Sequence, residues 1–196
     1  QQPPIRLGLR LIKGLSEAAG QRIHMAQRQR AFANVADLRQ RDSLDLCDME
    51  VLAAADALSS ISGNRYQSHW QTMALEAHRP LLPHDGAAQR SQDDAAVTAA
   101  PTLSEDVVAD YQSTGLTLRT HPLSLLRHQP PFDRCRRQTE LETLGNHRFV
   151  RVAGLVTCRQ RPGTASGVVF LTLEDETGNI NVIVWPATQE LSLIHI

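Results

Sequence analysis

The chain has few aromatic residues, few cysteines, a single lysine and no long apolar run. Phe, Tyr and Trp together make up only 4% of its 196 residues, although a hydrophobic share of 41% is sufficient for a core. The three cysteines, Cys47, Cys135 and Cys158, lack the spacing of metal ligands and are typical of reduced thiols. No apolar segment reaches the ~20 residues of a membrane span, and we expect no membrane partner. The chain also begins without an initiator methionine or a signal peptide, so we expect a cytoplasmic fragment of a longer protein.

The small net charge of −1 conceals charged blocks of opposite sign. Residues 1–41 contain eight Arg and Lys against two carboxylates, and residues 127–161 contain eight Arg against three. Residues 42–126 carry four cations against twelve carboxylates, and residues 162–196 have four carboxylates and no cation. Two basic blocks on either side of an acidic one indicate nucleic-acid binding if they coincide with phosphate-binding elements, and otherwise indicate ordinary solvated faces.

Residues 5–30 have the pattern of two short helices joined by a hairpin, residues 13–16 (KGLS). The glycine is suited to end the first helix with a positive φ, and the serine to cap the second. The second helix would point free N–H groups and its positive end at a phosphate, although Glu17 would repel that phosphate. A plain helical corner is the alternative. The candidate DNA-binding residues of this module are Arg10, Lys13, Gly14, Leu15, Ser16 and Arg22.

Helical spacing continues to Leu75 and then stops. Periodic apolar residues predict further helices over residues 32–41, 47–58 and 65–75, with Trp70 in the core. We therefore assign residues 1–78 to a helix-hairpin-helix module.

Residues 79–101 are rich in proline and polar residues, which predicts a flexible linker. Residues 102–146 are connecting helices, of which the first begins at a capping box formed by Thr102 and Glu105. His121 and Pro122 begin another short helix, and His121 has no partner at the spacing of a metal or catalytic site.

The remaining sequence changes from helical to alternating spacing. Apolar residues alternate over residues 148–158 and 167–186, which predicts three antiparallel strands. Gly154 would permit a sharp bend in the first strand, and Gly178 would supply a positive φ in the turn between the second and third. A basic approach followed by a three-stranded meander is the first half of an oligonucleotide-binding (OB) barrel, which we assign to residues 147–190.

In an OB fold the ligand contacts strands two and three and the loop between strands one and two. That loop, residues 159–167, combines arginines for phosphates with small residues that leave room for a strand. Aromatic side chains on the sheet are candidate stacking surfaces. The candidate DNA-binding residues of the barrel are Arg159, Arg161, Gly163, Phe170 and Trp185. The sequence thus predicts an α+β, multi-domain chain: a helix-hairpin-helix module followed by a partial, three-stranded OB barrel.

Three separated motifs resemble the bacterial C-family DNA polymerases. Residues 7–15 (LGLRLIKGL) and residues 114–123 (TGLTLRTHPL) resemble their helix-hairpin-helix region. Residues 152–186, with the strings VAGLV, RQRPGT, FLTLEDETG and VWP, resemble the OB region of the error-prone, translesion branch. The resemblance covers residues 1 to about 190 in one arrangement and implies a C-terminal fragment of a DNA polymerase III α-type subunit.

The resemblance implies that the parent protein is a DNA-directed DNA polymerase, acting in translesion synthesis and damage-induced mutagenesis, whose catalytic palm domain and its Mg²⁺ lie upstream. In this fragment we expect no catalytic residue and no cofactor or metal site. The implied partners are primer–template duplex and single-stranded template, with the sliding clamp and accessory translesion proteins as further candidates.

Several alternatives stay open at this point. They are a fragment of a replicative DNA polymerase III α subunit, a non-polymerase OB module, and a protein-interaction adaptor that uses the acidic middle of the chain. A transposon adapter used in preparing sequencing libraries encodes the peptide LSLIHI, which is the sequence of residues 191–196. We therefore interpret these residues as adapter read-through.

Overall fold

The computed structural model describes residues 7–75 and 99–191, which fall into two compact units, Gln1–Leu118 and Arg119–Ile196. The boundary between the units lies inside the segment interpreted above as connecting helices. Most of the predicted linker, and the last five residues of the predicted adapter read-through, lie outside the described residues.

The first unit is helical. A 3-10 turn, Leu9–Leu11, precedes α1, and the helices of this unit follow in chain order. They are α1 (Glu17–Gln29), α2 (Val35–Asp42), α3 (Leu46–Ala54), α4 (Ser59–Ser62), α5 (Arg65–Ala74) and α6 (Leu103–Ser113).

The helices of the first unit begin where short polar side chains can cap them. The side-chain oxygens of Asn34, Asp45 and Asn64 accept hydrogen bonds from the first turns of α2, α3 and α5. The predicted capping box of Thr102 and Glu105 is confirmed at the start of α6. The apolar faces of α1, α2 and α3 then meet in one core, which contains Ile12, Ala19, Ile23, Val35, Leu38, Leu44, Met49, Leu52, Ala53 and Leu58.

Three helical predictions differ from the structure. Within the described residues, the helix expected before the hairpin is only the 3-10 turn Leu9–Leu11. The helix expected over residues 47–58 ends at Ala54, because Asp56 adopts a positive φ of 56° that interrupts helical geometry. Trp70, expected in the core, is 54% exposed because it lies on the outer face of α5.

A buried arginine joins α5 to α6 in the first unit. The Nε of Arg65 donates to Oδ1 of Asp106 at 3.1 Å, and its other nitrogens donate to Asp110 and to the carbonyl of Ala54. Both carboxylates lie on α6, one helical turn apart, so a single guanidinium fixes the rotation of that helix.

The second unit combines short helices with a sheet. Its helical elements are α7 (Pro122–Leu126), a 3-10 turn (Phe132–Arg134), α8 (Gln138–Leu141), a second 3-10 turn (Gly163–Ala165) and α9 (Pro186–Leu191). Its strands are β1 (Leu155–Gln160), β2 (Val169–Glu174) and β3 (Asn179–Val184), hydrogen-bonded in the antiparallel order β1-β2-β3. The predicted meander is confirmed, whereas α9 was not anticipated.

The first strand begins later than the sequence predicts. Instead of pairing with β2, Val152 forms an isolated parallel bridge with Arg136. Gly154 then brings the chain against β2, since a Cβ on this glycine would lie 2.6 Å from the Cβ of Leu173. The glycine is therefore required for close approach of two backbones.

The turn between β2 and β3 is fixed by Arg127, Asp175 and Glu176, which we call the turn clamp. Arg127 donates from Nε to Glu176 at 2.8 Å and from an Nη to Asp175 at 3.3 Å. Asp175 also accepts hydrogen bonds from the backbone N–H groups of Thr177, Gly178 and Gln138 at 2.7–2.9 Å. The segment that contains Arg127, 48 residues before Asp175, is thereby attached to the β2–β3 hairpin.

Gly178 serves this turn in a different way from the one predicted. Gly178 is not one of the described glycines that adopt a positive φ. A Cβ at this position would instead lie 2.9 Å from the side-chain oxygen of Gln138. The glycine leaves room for the segment that donates to Asp175.

The clamp carboxylates remain ionised although they are buried. Burial by itself raises the pKa of Asp175, but hydrogen bonds from Thr177, Gln138 and Gly178 outweigh it and the pKa lies below its usual value. Burial likewise raises the pKa of Glu176, and the hydrogen bond and charge of Arg127 bring it below its usual value. The hydrogen bond that Arg127 donates to Glu176 raises the pKa of Arg127 in return.

Removal of the clamp arginine should destabilise the second unit. We expect Arg127→Met to lower its free energy of unfolding by about 3–5 kcal/mol, because the buried carboxylate of Asp175 loses its counter-charge and Glu176 keeps only the exposed Arg137. Amide hydrogen exchange in β2 and β3 measures this change. Arg137→Gln is the matched control: its side chain also contacts Glu176, at 3.0 Å, but is 49% exposed and should contribute less than ~1 kcal/mol. Equal effects of the two substitutions would refute the clamp.

The lowered carboxylate pKa values also predict an acid-sensitive second unit. Their stabilisation is complete above the unfolded-state pKa values, near ~4, and is lost as the pH falls through the lower folded-state values. The protection factors of the amides in β2 and β3 should therefore fall below about pH 4. In Asp175→Asn this acid dependence should weaken, with lower protection at neutral pH. An unchanged acid dependence in that variant would contradict the assignment.

Candidate nucleic-acid interface

The hairpin before α1 has the predicted backbone geometry. Gly14 adopts a φ of +87°, a left-handed conformation that favours glycine. Ser16 caps α1, and its Oγ accepts from the N–H of Ala19 at 3.1 Å. Leu15 packs on the helical core, so its contribution is to anchor the hairpin.

The first turn of α1 presents unpaired backbone donors to solvent. The N–H groups of Glu17 and Ala18 have no acceptor in the part of the chain that the structure describes. Free N–H groups at a helix start attract anions. The carboxylate of Glu17 lies in the same turn and accepts from Gln21 at 3.0 Å, so the hairpin presents donors and an adverse charge together.

Two of the three predicted cations of this module hold the fold together. The Nζ of Lys13 donates to the carbonyls of Tyr111 and Gln112, both at 3.0 Å, at the negative end of α6. Arg22 donates from Nε to the carbonyl of Asp42 at 2.9 Å. Arg10 is exposed and makes no hydrogen bond or ion pair within residues 7–75 and 99–191. Sequence spacing identified the cations without distinguishing those that already have partners.

The sheet of the second unit has an apolar face and a mixed, more exposed face. Opposite residues in the register share a face, so Leu171 and Val182 lie on the apolar face. The other face carries Phe170 beside Ile183, and Thr172 beside Asn181. Cross-strand pairing to β1 adds Gln160 and Cys158 to this second face, which we call the Phe170 face.

The Phe170 face has an aromatic surface next to hydrogen-bonding groups. Phe170 is 39% exposed and Ile183 is 52% exposed. The Oγ1 of Thr172 contacts Oδ1 of Asn181 at 3.2 Å, which leaves the Asn181 amide N–H₂ available to a ligand. Trp185 is 62% exposed immediately after β3. Sequence reasoning found the two aromatic residues but missed Thr172 and Asn181, which alternation from Phe170 would have revealed.

Arg159, predicted in the loop, belongs to β1, whereas Arg161 and Gly163 lie between β1 and β2, and both arginines are exposed. Arg159 pairs with Leu171 in the register and therefore lies on the face opposite Phe170. Arg161 follows the end of β1, and its Nη2 is 3.6 Å from the place of a Cβ on Gly167. Gly163 begins a 3-10 turn, and nothing lies within 4 Å of the place where its Cβ would be. The structure thus leaves open space beside the loop backbone.

The described residues offer no metal site. Over residues 7–75 and 99–191, no group of three or more His, Cys, Asp or Glu side chains is placed to hold a metal ion. These residues therefore do not fit the Mg²⁺ that the resemblance implies for the catalytic domain. None of the described helices is long and apolar enough to cross a membrane.

Comparisons with known proteins agree with both modules. A helix-hairpin-helix motif model matches residues 1–68, and a model of the OB-fold nucleic-acid-binding domain matches residues 150–195. The predicted combination of a helix-hairpin-helix module and an OB fold, here with three strands in an open sheet, is confirmed.

Curated relatives are similar to nearly the whole chain. The chain is 52% identical to the error-prone DNA polymerase of Saccharophagus degradans over 96% of its own length. It is 50% identical to the error-prone DNA polymerases of Teredinibacter turnerae, over 95% of the chain, and of Ralstonia nicotianae, over 94%. The chain spans only about 17–18% of the length of these relatives.

The two cations at the hairpin should respond differently to substitution. Lys13→Ala should destabilise the first unit by ~0.3–1 kcal/mol, because the carbonyl end of α6 loses a cation. Arg10→Ala, at an exposed position three residues earlier, is the matched control and should leave the free energy of unfolding unchanged. Urea denaturation followed by Trp70 fluorescence in a Trp185→Phe background measures both. A larger loss from Arg10→Ala than from Lys13→Ala would contradict the geometry.

Proposed function

We propose, from the homology of this chain to a segment of the error-prone DNA polymerases, that it is the DNA-binding part of such an enzyme. The parent would be a DNA-directed DNA polymerase that acts in the cytoplasm in translesion synthesis and damage-induced mutagenesis. Its nucleotidyl transfer, with Mg²⁺, would take place outside the residues described here. The chain itself would hold DNA without performing chemistry.

The observation that carries the proposal is the Phe170 face. An exposed aromatic ring, an apolar neighbour and a free amide lie side by side on β2 and β3. Such a surface suits single-stranded nucleic acid, because any base can stack on an aromatic ring and the adjacent amide can donate to an acceptor on the base. The exposed Arg161, which follows the end of β1, supplies charge for the nucleic-acid backbone, whereas Arg159 lies on the opposite face.

The helix-hairpin-helix module supports a second contact, with duplex DNA. Its exposed Arg10 and the unpaired amides at the start of α1 suit a phosphate. Lys13 contributes mainly by fixing the hairpin to α6, with one of its three N–H donors left for a ligand. Glu17 makes this contact weaker than the one proposed for the barrel.

The alternatives have less support. A non-polymerase OB module does not explain similarity that extends over both units to proteins named error-prone DNA polymerase. A replicative polymerase fragment would share the fold, but the relatives reported above carry the error-prone name. The sliding clamp and accessory translesion proteins stay candidate partners of the parent enzyme.

Binding of an oligothymidylate tests the proposed face. We expect the full chain to bind it with an affinity that falls as salt rises. Phe170→Ala should weaken binding by about 1–3 kcal/mol, roughly 5- to 150-fold, through the loss of one stacked base. Fluorescence anisotropy of a labelled oligonucleotide across a sodium chloride series measures both quantities.

Val156→Ala is the matched control for this experiment. Val156 is an apolar residue of the same sheet, 51% exposed, that pairs with Leu173 on the opposite face. Its truncation should leave the affinity unchanged. Equal losses in the two variants, or an affinity independent of salt, would reject the Phe170 face as the binding surface.

A further inference from the structure

The structure separates the eight arginines of residues 127–161 into three groups with different surroundings. Arg127 and Arg137 contact Glu176 and belong to the fold of the β2–β3 turn. Arg159 and Arg161 lie at the β1–β2 loop. The remaining four are Arg134, Arg136, Arg148 and Arg151, and we call them the bridge arginines.

The isolated β-bridge joins the two chain segments that carry the bridge arginines. The N–H of Arg136 donates to the carbonyl of Arg151 at 2.8 Å, and Arg136 pairs with Val152 in parallel register. Arg134 is two residues from one end of this contact, and Arg148 is three residues from the other. At about 3.3–3.6 Å per residue, these α-carbons lie within roughly 11 Å of the bridge.

The bridge arginines are poorly neutralised by the protein. All four are exposed, and the guanidinium groups of Arg134, Arg148 and Arg151 have no hydrogen bond or ion pair among the described residues. Arg136 contacts Glu140 at 3.5 Å, in a pair whose side chains are 60% and 45% exposed. A pair so exposed contributes little, and the other two carboxylates of residues 127–161 are Asp133 and Glu142, so cations exceed carboxylates in this segment. Because like charges held close together repel one another, they favour the binding of a polyanion that neutralises several of them at once.

We propose that the bridge arginines bind the phosphodiester backbone of single-stranded nucleic acid, as a contact separate from the β1–β2 loop. This inference rests on the proposed function and extends it to residues outside the barrel strands. Arg151 precedes Arg159 by eight residues, so the two contacts are at most about 29 Å apart along the chain. An oligonucleotide that follows β1 would reach both, whereas a short one would occupy a single contact.

The test compares three variants of the full chain in oligothymidylate binding. The triple substitution Arg134→Gln, Arg148→Gln and Arg151→Gln removes the three unpaired bridge cations. The same positions changed to lysine keep the charge and act as the matched control. Arg159→Gln with Arg161→Gln removes the loop contact. Each is measured across a sodium chloride series with oligonucleotides of about 5 and about 12 nucleotides, within the range of OB-fold sites.

The glutamine triple variant should lose most of the advantage of the longer oligonucleotide. Its slope of log K against log salt should fall by about 2, since each phosphate contact on a single strand contributes ~0.7. The lysine variant should keep the wild-type slope. Because these side chains are exposed and unpaired, the circular dichroism spectrum should not change.

The outcomes distinguish the two proposals. Loss of affinity in the loop variant alone overturns the inference and leaves the proposed function standing. Loss in the bridge variant, with rescue by lysine, supports the inference whether or not the loop variant is also affected. If wild-type chain does not bind, or if no variant changes the affinity or the slope, both proposals fail.

Discussion

The arrangement of the second unit depends on one buried guanidinium. Arg127 contacts Asp175 and Glu176 across 48 and 49 residues of sequence, and it also donates to the carbonyl of Cys135. The three contacts fix the β2–β3 turn against the segment that precedes the sheet. Since the Phe170 face is formed by β2 and β3, a single polar centre at one end of the hairpin holds the proposed binding surface in register. Neither carboxylate is free to repel a phosphate, because both are committed to Arg127 and its neighbours.

Basic residues in this chain have two physically different tasks. Arg22, Arg65 and Arg127 donate to carbonyls and carboxylates inside the protein, and so does Lys13 at the end of α6. Exposed arginines without partners, such as Arg159, remain available to an external anion. A desolvated ion pair contributes to a specific fold when its remaining donors are satisfied, and each guanidinium nitrogen of Arg65 and Arg127 donates within the protein. Net charge by segment cannot separate the two tasks, because both kinds of arginine occur in the same basic block.

Local patterns predicted most of the fold. The capping box of Thr102, the positive φ of Gly14 and the alternation of β2 and β3 follow from neighbouring residues, and each is confirmed. The errors arose where distant contacts override local preference. Val152 alternates like a strand residue but pairs with Arg136, sixteen positions upstream, and Gly178 serves a distant side chain instead of a local φ. The sequence identified the candidate cations. It could not show which of them already have partners, because those contacts form only in the tertiary structure.

We propose that nucleic acid contacts the second unit at the Phe170 face and at the exposed arginines near it. Chemical-shift mapping of the ¹⁵N-labelled chain titrated with an oligothymidylate tests this claim most directly. The account predicts that the largest shifts occur at Phe170, Thr172, Asn181 and Ile183, together with the exposed arginines of the second unit. Shifts concentrated on the opposite face, around Val156, or confined to the first unit would contradict it.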